Sequence, residues 1–262
     1  MREGSLVAFT LLTQAAVGTC WALLVVRPSA PATGALLLVS FVAALAGLGA
    51  SFLHLGRPSN AWRALGNLRT SWLSREIILA SAFTGALAAS VVLSRWPVAA
   101  GSWTSLPEWA AAALGLALVW SMAMAYRLRT VPAWNGWTTT AAFFASALGL
   151  GAFAAAAVLG SGRLALAALL FHLAGLVSTL LWLRRLSSGS RAERGIFRQI
   201  AEERRRLLFA RFGLSALVLA FGLAALLSPA SPWPLALACL LAFAAEGAGR
   251  SLFYEARVRA GL

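Results

Sequence analysis

Ionisable side chains are scarce inside the apolar stretches of this 262-residue chain, and those that occur there are the first candidates for chemistry. A charged or titratable group in an apolar stretch is costly unless it is paired or used, so its presence suggests a function or a structural pair. The candidates, with Gln14 as an uncharged polar companion, are His54, Glu76, His172, Glu246 and Arg250.

His54 and Glu76 stand at the same end of two consecutive apolar runs. His54 ends the second run and Glu76 opens the third, with a loop of about 20 residues between them. An imidazole and a carboxylate can both exchange protons near neutral pH, and oxidation of a quinol releases two protons with its two electrons. The alternative is an interfacial histidine and a glutamate that the positive end of a helix dipole stabilises. Spacing alone does not separate these interpretations.

The remaining candidates lie deeper. His172 stands midway along the sixth run, where it could ligate haem iron together with His54. Their depths differ by about 13 Å at a rise of about 1.5 Å per residue, whereas two axial ligands of one haem lie at similar depth. We therefore interpret His172 as a core histidine hydrogen-bonded to a neighbouring helix, and we expect no haem. Glu246 and Arg250 are spaced i, i+4, which predicts a buried ion pair.

Apolar runs of membrane-spanning length position these residues. The chain is 60% hydrophobic and 11% charged, whereas soluble domains contain about 25% charged residues. A run of about 20 apolar residues crosses the hydrocarbon core of a bilayer. The eight runs are 5–26, 34–55, 76–94, 106–126, 137–159, 164–183, 207–227 and 235–254. We predict an all-α fold, an integral membrane bundle of eight transmembrane helices that forms a single domain over 1–262.

Prolines and cysteines agree with this organisation. All nine prolines fall between the runs or at their edges, where the missing amide hydrogen bond costs little. The first run exceeds the core of a signal peptide, which spans about 7–15 residues, so we expect a bundle helix and no cleaved leader. Cys20 and Cys239 lie inside spans and are expected to be small buried apolar residues. We expect no metal site in this chain.

Arginines are distributed unequally between the two sides. Of the 22 basic residues, only Arg27, Arg95 and Arg163 fall on one side of the predicted bundle, and the other 19 fall on the side of both termini. Positive residues are retained on the cytoplasmic side, so we expect both termini in the cytoplasm and the chain in the cell inner membrane. The net charge of +14 does not indicate a nucleic-acid partner, because the arginines are spread over short loops with no nucleic-acid module.

The largest polar segment, 184–206, is predicted to be an amphipathic helix with Glu202 and Arg206 as an i, i+4 pair.

Three motifs, in order along the chain, resemble those of the DMSO reductase anchor subunit family (the DmsC type). The first spans 51–77 and contains an H-L-G-x-P turn, an Asn-containing loop and S-x-L-S-x-E-I. The second is 126–134, Y-R-L-R-T-V-P-A-W, and the third is 246–254, E-G-A-G-R-S-L-F-Y. With eight similarly spaced helices, the resemblance covers nearly the whole chain.

The resemblance implies a membrane anchor that binds and oxidises menaquinol. It implies two soluble partners: a ferredoxin-like subunit with four iron–sulfur clusters, which takes the electrons, and a molybdopterin catalytic subunit. The histidine and glutamate of the family's quinol site correspond to His54 and Glu76. Further cofactor-binding candidates are Arg57, Arg75, Tyr126 and Arg127, although the family often has a small residue at position 57. Tyr126 and Arg127 could instead anchor their helix at the membrane interface.

The alternative function is a proton-coupled secondary transporter, whose intramembrane His and Glu would carry protons. Transporters often place ionisable residues near the bilayer midplane on broken helices. Here the His54–Glu76 pair is predicted near one face, and no proline interrupts a span.

Overall fold

The computed structural model describes residues 2–54, 66–95, 105–228 and 231–257, with the backbone alone at positions 2–3 and 53–54. Within these ranges the chain is helical and contains no strand. The helices are α1 Arg2–Val26, α2 Ala30–His54, α3 Trp72–Arg95, α4 Leu106–Tyr126, α5 Trp137–Leu159, α6 Gly162–Ser188, α7 Arg191–Glu203, α8 Arg205–Leu227 and α9 Trp233–Glu255. All except α7 are long and apolar enough to span a membrane, so the predicted eight spans are confirmed.

Two helices begin about one full turn earlier than the apolar runs predict. The second helix begins at Ala30 instead of residue 34, because Pro31 is tolerated in a first turn. The third begins at Trp72 instead of residue 76, because the Ser71 hydroxyl accepts a hydrogen bond from the Ser74 amide at 3.2 Å and caps the helix. Glu76 therefore lies in the second turn of α3 and does not open it, which removes most of the proposed helix-dipole stabilisation.

The polar segment is not one helix. Helix α6 continues to Ser188, and α7 is a separate amphipathic helix that begins with a capping box between Ser190 and Glu193. The break between α7 and α8 separates Glu202 from Arg206, so their predicted i, i+4 pairing within one helix is wrong. Arg204, at the break, instead pairs with Glu255 at the end of α9, with 2.8 Å between nitrogen and oxygen.

Helices α1 and α5 form the centre of the bundle. Their membrane-spanning windows are 72% and 61% buried, whereas the value for α8 is 22%. The two helices touch at Gly18 and Gly151, where a Cβ on either residue would collide with the backbone of the other helix. Small residues that allow backbones to approach are the usual basis of helix packing in membranes. The outer helices turn large apolar side chains such as Leu170, Leu223 and Leu240 outwards, as a lipid-facing surface requires.

A second apolar cluster closes one end of the bundle. It joins the loop between α4 and α5 to the ends of α6 and α9 and to α7. Trp182 donates a hydrogen bond to the Ala133 carbonyl at 2.8 Å, and Trp134 donates one to the Phe253 carbonyl at 2.6 Å. These bonds fix the 127–136 loop at the end of the bundle where α2 ends and α3 begins. The buried members of the cluster are Val131, Ala133, Trp134, Trp182, Leu186, Ile196, Ile200, Leu252 and Ala256.

Candidate functional site

Glu76 is a buried carboxylate near one end of the bundle. Only 3% of its surface is exposed. Among the residues that the structure describes, no hydrogen bond or ion pair to this carboxylate is formed. Buried acidic groups are normally paired, so a carboxylate with no bonded partner among the described residues of an apolar span is a candidate functional group. The position of Glu76 is that of a group available to a ligand or a proton.

Two tyrosines of other helices lie within electrostatic range of Glu76. Tyr126 ends α4 and Tyr254 lies in the last turn of α9, and both phenols are near enough to Glu76 to interact with it electrostatically. Their ring centroids are 5.2 Å apart, and the Tyr254 hydroxyl donates to the Thr10 hydroxyl at 3.3 Å. Tyr126 thus lies in the electrostatic range of Glu76, and its predicted role at a quinol site remains a prediction; Tyr254, which the sequence analysis does not select, lies in the same range.

An aromatic cluster holds Tyr126 in place. Its ring contacts those of Trp134, Phe143 and Phe253 at centroid distances of 5.5, 5.6 and 5.6 Å. Contacts of this kind add to the free energy of burial and restrict the ring to one orientation. Tyr126 is thus a side chain of fixed orientation, which is compatible with either a place in the site or an anchoring role.

The two arginines next to these residues differ in their surroundings. Arg75 donates to the carbonyls of Leu68 and Arg69 at 2.7 and 2.8 Å, and its guanidinium stacks on the Trp72 ring at 4.1 Å. These contacts hold the loop before α3. Arg127 follows α4 and its side chain is exposed. The structure does not bring Arg75 or Arg127 to the Glu76 carboxylate, so their predicted quinol contacts remain predictions.

His54 and Arg57 lie at the edge of what the structure describes. Helix α2 ends at His54, which places its backbone at the same end of the bundle as Glu76, but its side chain lies outside what the structure describes. Arg57 lies outside the described residues altogether.

An apolar groove runs along the outer side of α3 and α4. It has a volume of ≈ 520 Å³, within the range of about 300–1,000 Å³ typical of small-molecule sites. Trp72 and Arg75 from the first turn of α3 lie at one end, and Leu79, Leu116 and Trp120 line its wall. The groove begins one turn from Glu76 and is lined by α3 and α4, the helices that carry Glu76 and Tyr126.

A second group of polar side chains is buried deeper, between α6, α8 and α9. Arg211 donates to Glu246 at 2.6 Å, and the His172 Nδ1 lies 3.6 Å from the same carboxylate. The other nitrogen of His172 lies 3.0 Å from the Ser215 hydroxyl of α8. The interpretation of His172 as a core histidine hydrogen-bonded to a neighbouring helix is therefore confirmed.

The predicted pair of Glu246 with Arg250 is wrong. Arg250 instead donates to the Gln14 side-chain oxygen at 3.0 Å and to the Ser146 hydroxyl at 3.4 Å, and it stacks on Phe143. Glu246 pairs instead with Arg211 of α8. Ser146 connects Arg250 to the Arg211–Glu246 pair, because its hydroxyl also donates to Glu246 at 2.7 Å.

The prediction that Arg211 lies with the loop arginines on the terminal side is wrong. Arg211 is 2% exposed and lies inside α8. Its position a few residues inside the apolar run 207–227 was the available signal. Arg211 and Arg250 are therefore interior residues, and two of the 19 arginines assigned to the terminal side do not mark that surface.

Comparison with known proteins gives a family match over nearly the whole chain. The family model for the DMSO reductase anchor subunit (DmsC) matches residues 1–256. No solved structure matches the chain.

Three relatives share parts of this sequence. The C component of a sulfite dehydrogenase from Allochromatium vinosum is 64% identical over 42 residues, which is 16% of this chain and 13% of the relative. The YnfH component of an anaerobic dimethyl sulfoxide reductase from Escherichia coli is 39% identical over 128 residues, 47% of this chain and 44% of the relative. The C component of the anaerobic dimethyl sulfoxide reductase from Haemophilus influenzae is 30% identical over 152 residues, 54% of this chain and 53% of the relative. The matches thus span about half, or less, of each relative.

Proposed function

This chain belongs to the family of DMSO reductase anchor subunits, and we propose that it binds and oxidises menaquinol and passes the electrons to an iron–sulfur partner subunit. The observation that carries the proposal is the Glu76 carboxylate, buried, without a bonded partner among the described residues, and beside two positioned tyrosines. Family membership favours this function over a proton-coupled transporter.

The proposed reaction needs acceptors for two protons and a route for two electrons. A quinol that becomes a quinone loses one proton and one electron from each of its two hydroxyls. His54 accepts a hydrogen bond from one hydroxyl, and Glu76 takes the two protons one after the other and releases each towards the nearby membrane face. Tyr126 and Tyr254 border Glu76 and shape the pocket. The electrons leave for an iron–sulfur cluster of the partner.

The apolar groove on α3 and α4 supports lateral entry of the quinol from the bilayer. Its outward side faces the region that lipid occupies, and it ends at the turn of α3 that precedes Glu76. An isoprenoid tail can lie along Leu79, Leu116 and Trp120 while the ring moves inwards. A tail held in this way needs no polar contact, which agrees with the scarcity of polar groups along the groove.

We assign the redox centres of the proposed complex to its partners, as membership of the anchor family implies. The iron–sulfur subunit docks on the face that carries Glu76, because electron transfer requires a short distance, and the molybdopterin subunit binds beyond it. We place the chain in the inner membrane with both termini and this face in the cytoplasm, since the remaining loop arginines still favour that side.

Inhibitor binding tests the proposed site. Replacing His54 by alanine should weaken binding of a quinol-mimicking inhibitor to the assembled complex by about 1–3 kcal/mol, or about 5- to 150-fold in Kd, because a buried hydrogen bond is lost. The measurement is a titration of inhibitor fluorescence or of residual activity.

The matched control is the second histidine of the chain. His172→Gln keeps a side chain that can hydrogen-bond Ser215 and lies away from the proposed pocket, so the inhibitor should bind as in the wild type. Equal weakening by both variants would indicate a general loss of packing, and no weakening by His54→Ala would remove His54 from the site.

A further inference from the structure

A small cavity lies inside the bundle between α5, α6, α8 and α9. Its volume is ≈ 50 Å³, and it adjoins the apolar cluster that closes this end of the bundle, through Trp182 and Leu252. Polar groups from all four helices border it, namely Thr138, Ser146, Ser178, Arg211, Glu246 and Arg250. Phe143 and Phe253, which pack on Tyr126, also line the cavity, but Glu76 does not, and no step of the proposed quinol oxidation uses it.

The charges around this cavity do not balance. Arg211 and Arg250 are 2% and 5% exposed. Glu246 is bonded to Arg211, whereas the hydrogen-bond partners of Arg250 are the neutral Gln14 and Ser146. Of the acidic side chains that the structure describes, only Glu246 borders the cavity.

The neighbouring groups do not remove the surplus. The groups that act electrostatically on Arg250 are Tyr254, Glu246, Tyr126 and Arg211. His172, the other titratable group beside Glu246, is neutral or positive in either protonation state. Arg250 therefore forms no ion pair with an acidic side chain in the described part of the chain, and burying an unpaired ion carries a large desolvation penalty.

Unsatisfied polar atoms border the same space. The Thr138 hydroxyl and the Arg211 Nε are buried and have no hydrogen-bond partner among the residues described. Thr138 is 3% exposed, and both residues line the cavity. Buried donors without acceptors are rare in folded proteins, and a bound species in the cavity is a direct way to satisfy them.

The size of the cavity restricts what can bind. A water molecule needs about 10–15 Å³ of cavity volume, so this cavity has room for a monatomic anion with one or two waters. A quinone ring or a phospholipid headgroup does not fit. Apart from the Glu246 carboxylate, which is paired with Arg211, the charged groups at the cavity are arginines and the neutral polar groups include hydroxyls that can donate, which favours an anion over a cation or an apolar ligand.

We propose that this cavity binds a small inorganic anion of the chloride type, held by Arg250 and Arg211 and by the hydroxyl groups around them. The anion supplies a charged partner for Arg250, which has none among the described residues, and couples α8 and α9 to α5. The inference stands independently of quinol oxidation.

Thermal unfolding in chloride tests this proposal. The purified full-length chain is melted in detergent at constant ionic strength, with gluconate, which is too large for the cavity, replaced stepwise by chloride. Tryptophan fluorescence reports the transition, since the chain has 11 tryptophans. The melting temperature should rise along a saturation curve by about 2 °C or more. No rise, or a rise without saturation, would overturn the proposal.

Variants identify the site. Arg250→Gln removes the surplus charge and should abolish the chloride effect, whereas Arg250→Lys should keep it. Glu246→Gln increases the surplus and should shift the saturation curve to lower chloride. Arg205→Gln, at an exposed position in the first turn of α8, is the control and should respond like the wild type. An equal chloride effect in Arg250→Gln would show an adventitious ion only.

Bromide gives a second measurement that does not require any variant to fold. Crystals of the wild-type chain grown in bromide should show an anomalous difference peak between Arg211 and Arg250. A cavity without that peak at saturating bromide would contradict the proposal.

Discussion

Replacing Glu76 by glutamine should lower turnover with a quinol analogue by about 100-fold or more. Glutamine keeps the size of the side chain but cannot accept the proton, and loss of a positioned acid–base group costs about 10²- to 10⁴-fold in rate. Because the helix surface is barely altered, the complex should still assemble. Turnover is measured in membranes or in detergent with the partner subunits present.

Two controls separate proton transfer from general damage. An artificial donor that reduces the iron–sulfur partner directly should support wild-type rates in the Glu76→Gln complex. Glu108→Gln changes a glutamate in the first turn of α4, at the opposite end of the helix from Tyr126, and should leave quinol oxidation unchanged. Wild-type quinol turnover in Glu76→Gln would place the proton acceptor elsewhere.

Replacing Glu246 by leucine should destabilise the chain by about 3–5 kcal/mol, because the buried Arg211 loses the one charged partner it has among the described residues. Glu246 also accepts the Ser146 hydrogen bond, so a second group loses its acceptor. Measured in chloride-free buffer, the melting temperature should fall by several degrees, and less protein should accumulate in the membrane.

The ion pair between Arg204 and Glu255 is the matched control. Its nitrogen and oxygen atoms are 2.8 Å apart, but the side chains are 46% and 21% exposed. Exposed pairs contribute about 0–1 kcal/mol, so Glu255→Leu should change the melting temperature little. A double variant, Arg211→Met with Glu246→Leu, should recover much of the loss, since it leaves no unpaired charge at this pair. Equal effects of the two single variants would refute the buried pair as a stabilising contact.

Two features could be predicted from the sequence: the membrane spans, and the end of the bundle at which Glu76 lies. Both depend on the local pattern of apolar and polar residues along the chain. Apolar length determines the number of helices, and the succession of spans puts the end of α2 and the start of α3 on one face. The early start of α3 was also predictable, since Ser71 is a good helix cap, but apolar length alone does not detect caps.

The partners of the interior charges could not be predicted in this way. Arg211 and Glu246 lie on different helices, and Gln14 and Arg250 join the first and last helices of the chain. Which residue of an apolar helix faces which neighbour depends on how the helices rotate against one another, and close contacts such as Gly18 with Gly151 decide that rotation. The i, i+4 spacing of Glu246 and Arg250 is compatible with a pair, but Glu246 pairs with Arg211 of α8 instead.

Photolabelling of the assembled complex with a photoactivatable naphthoquinone tests the central claim most directly. After illumination and proteolysis, mass spectrometry should find the label on the first turns of α3 and the last turns of α4, around Glu76 and Tyr126, and a quinol-mimicking inhibitor should prevent it. Label confined to α6, α8 and α9, or label that the inhibitor does not displace, would contradict a quinol site at Glu76.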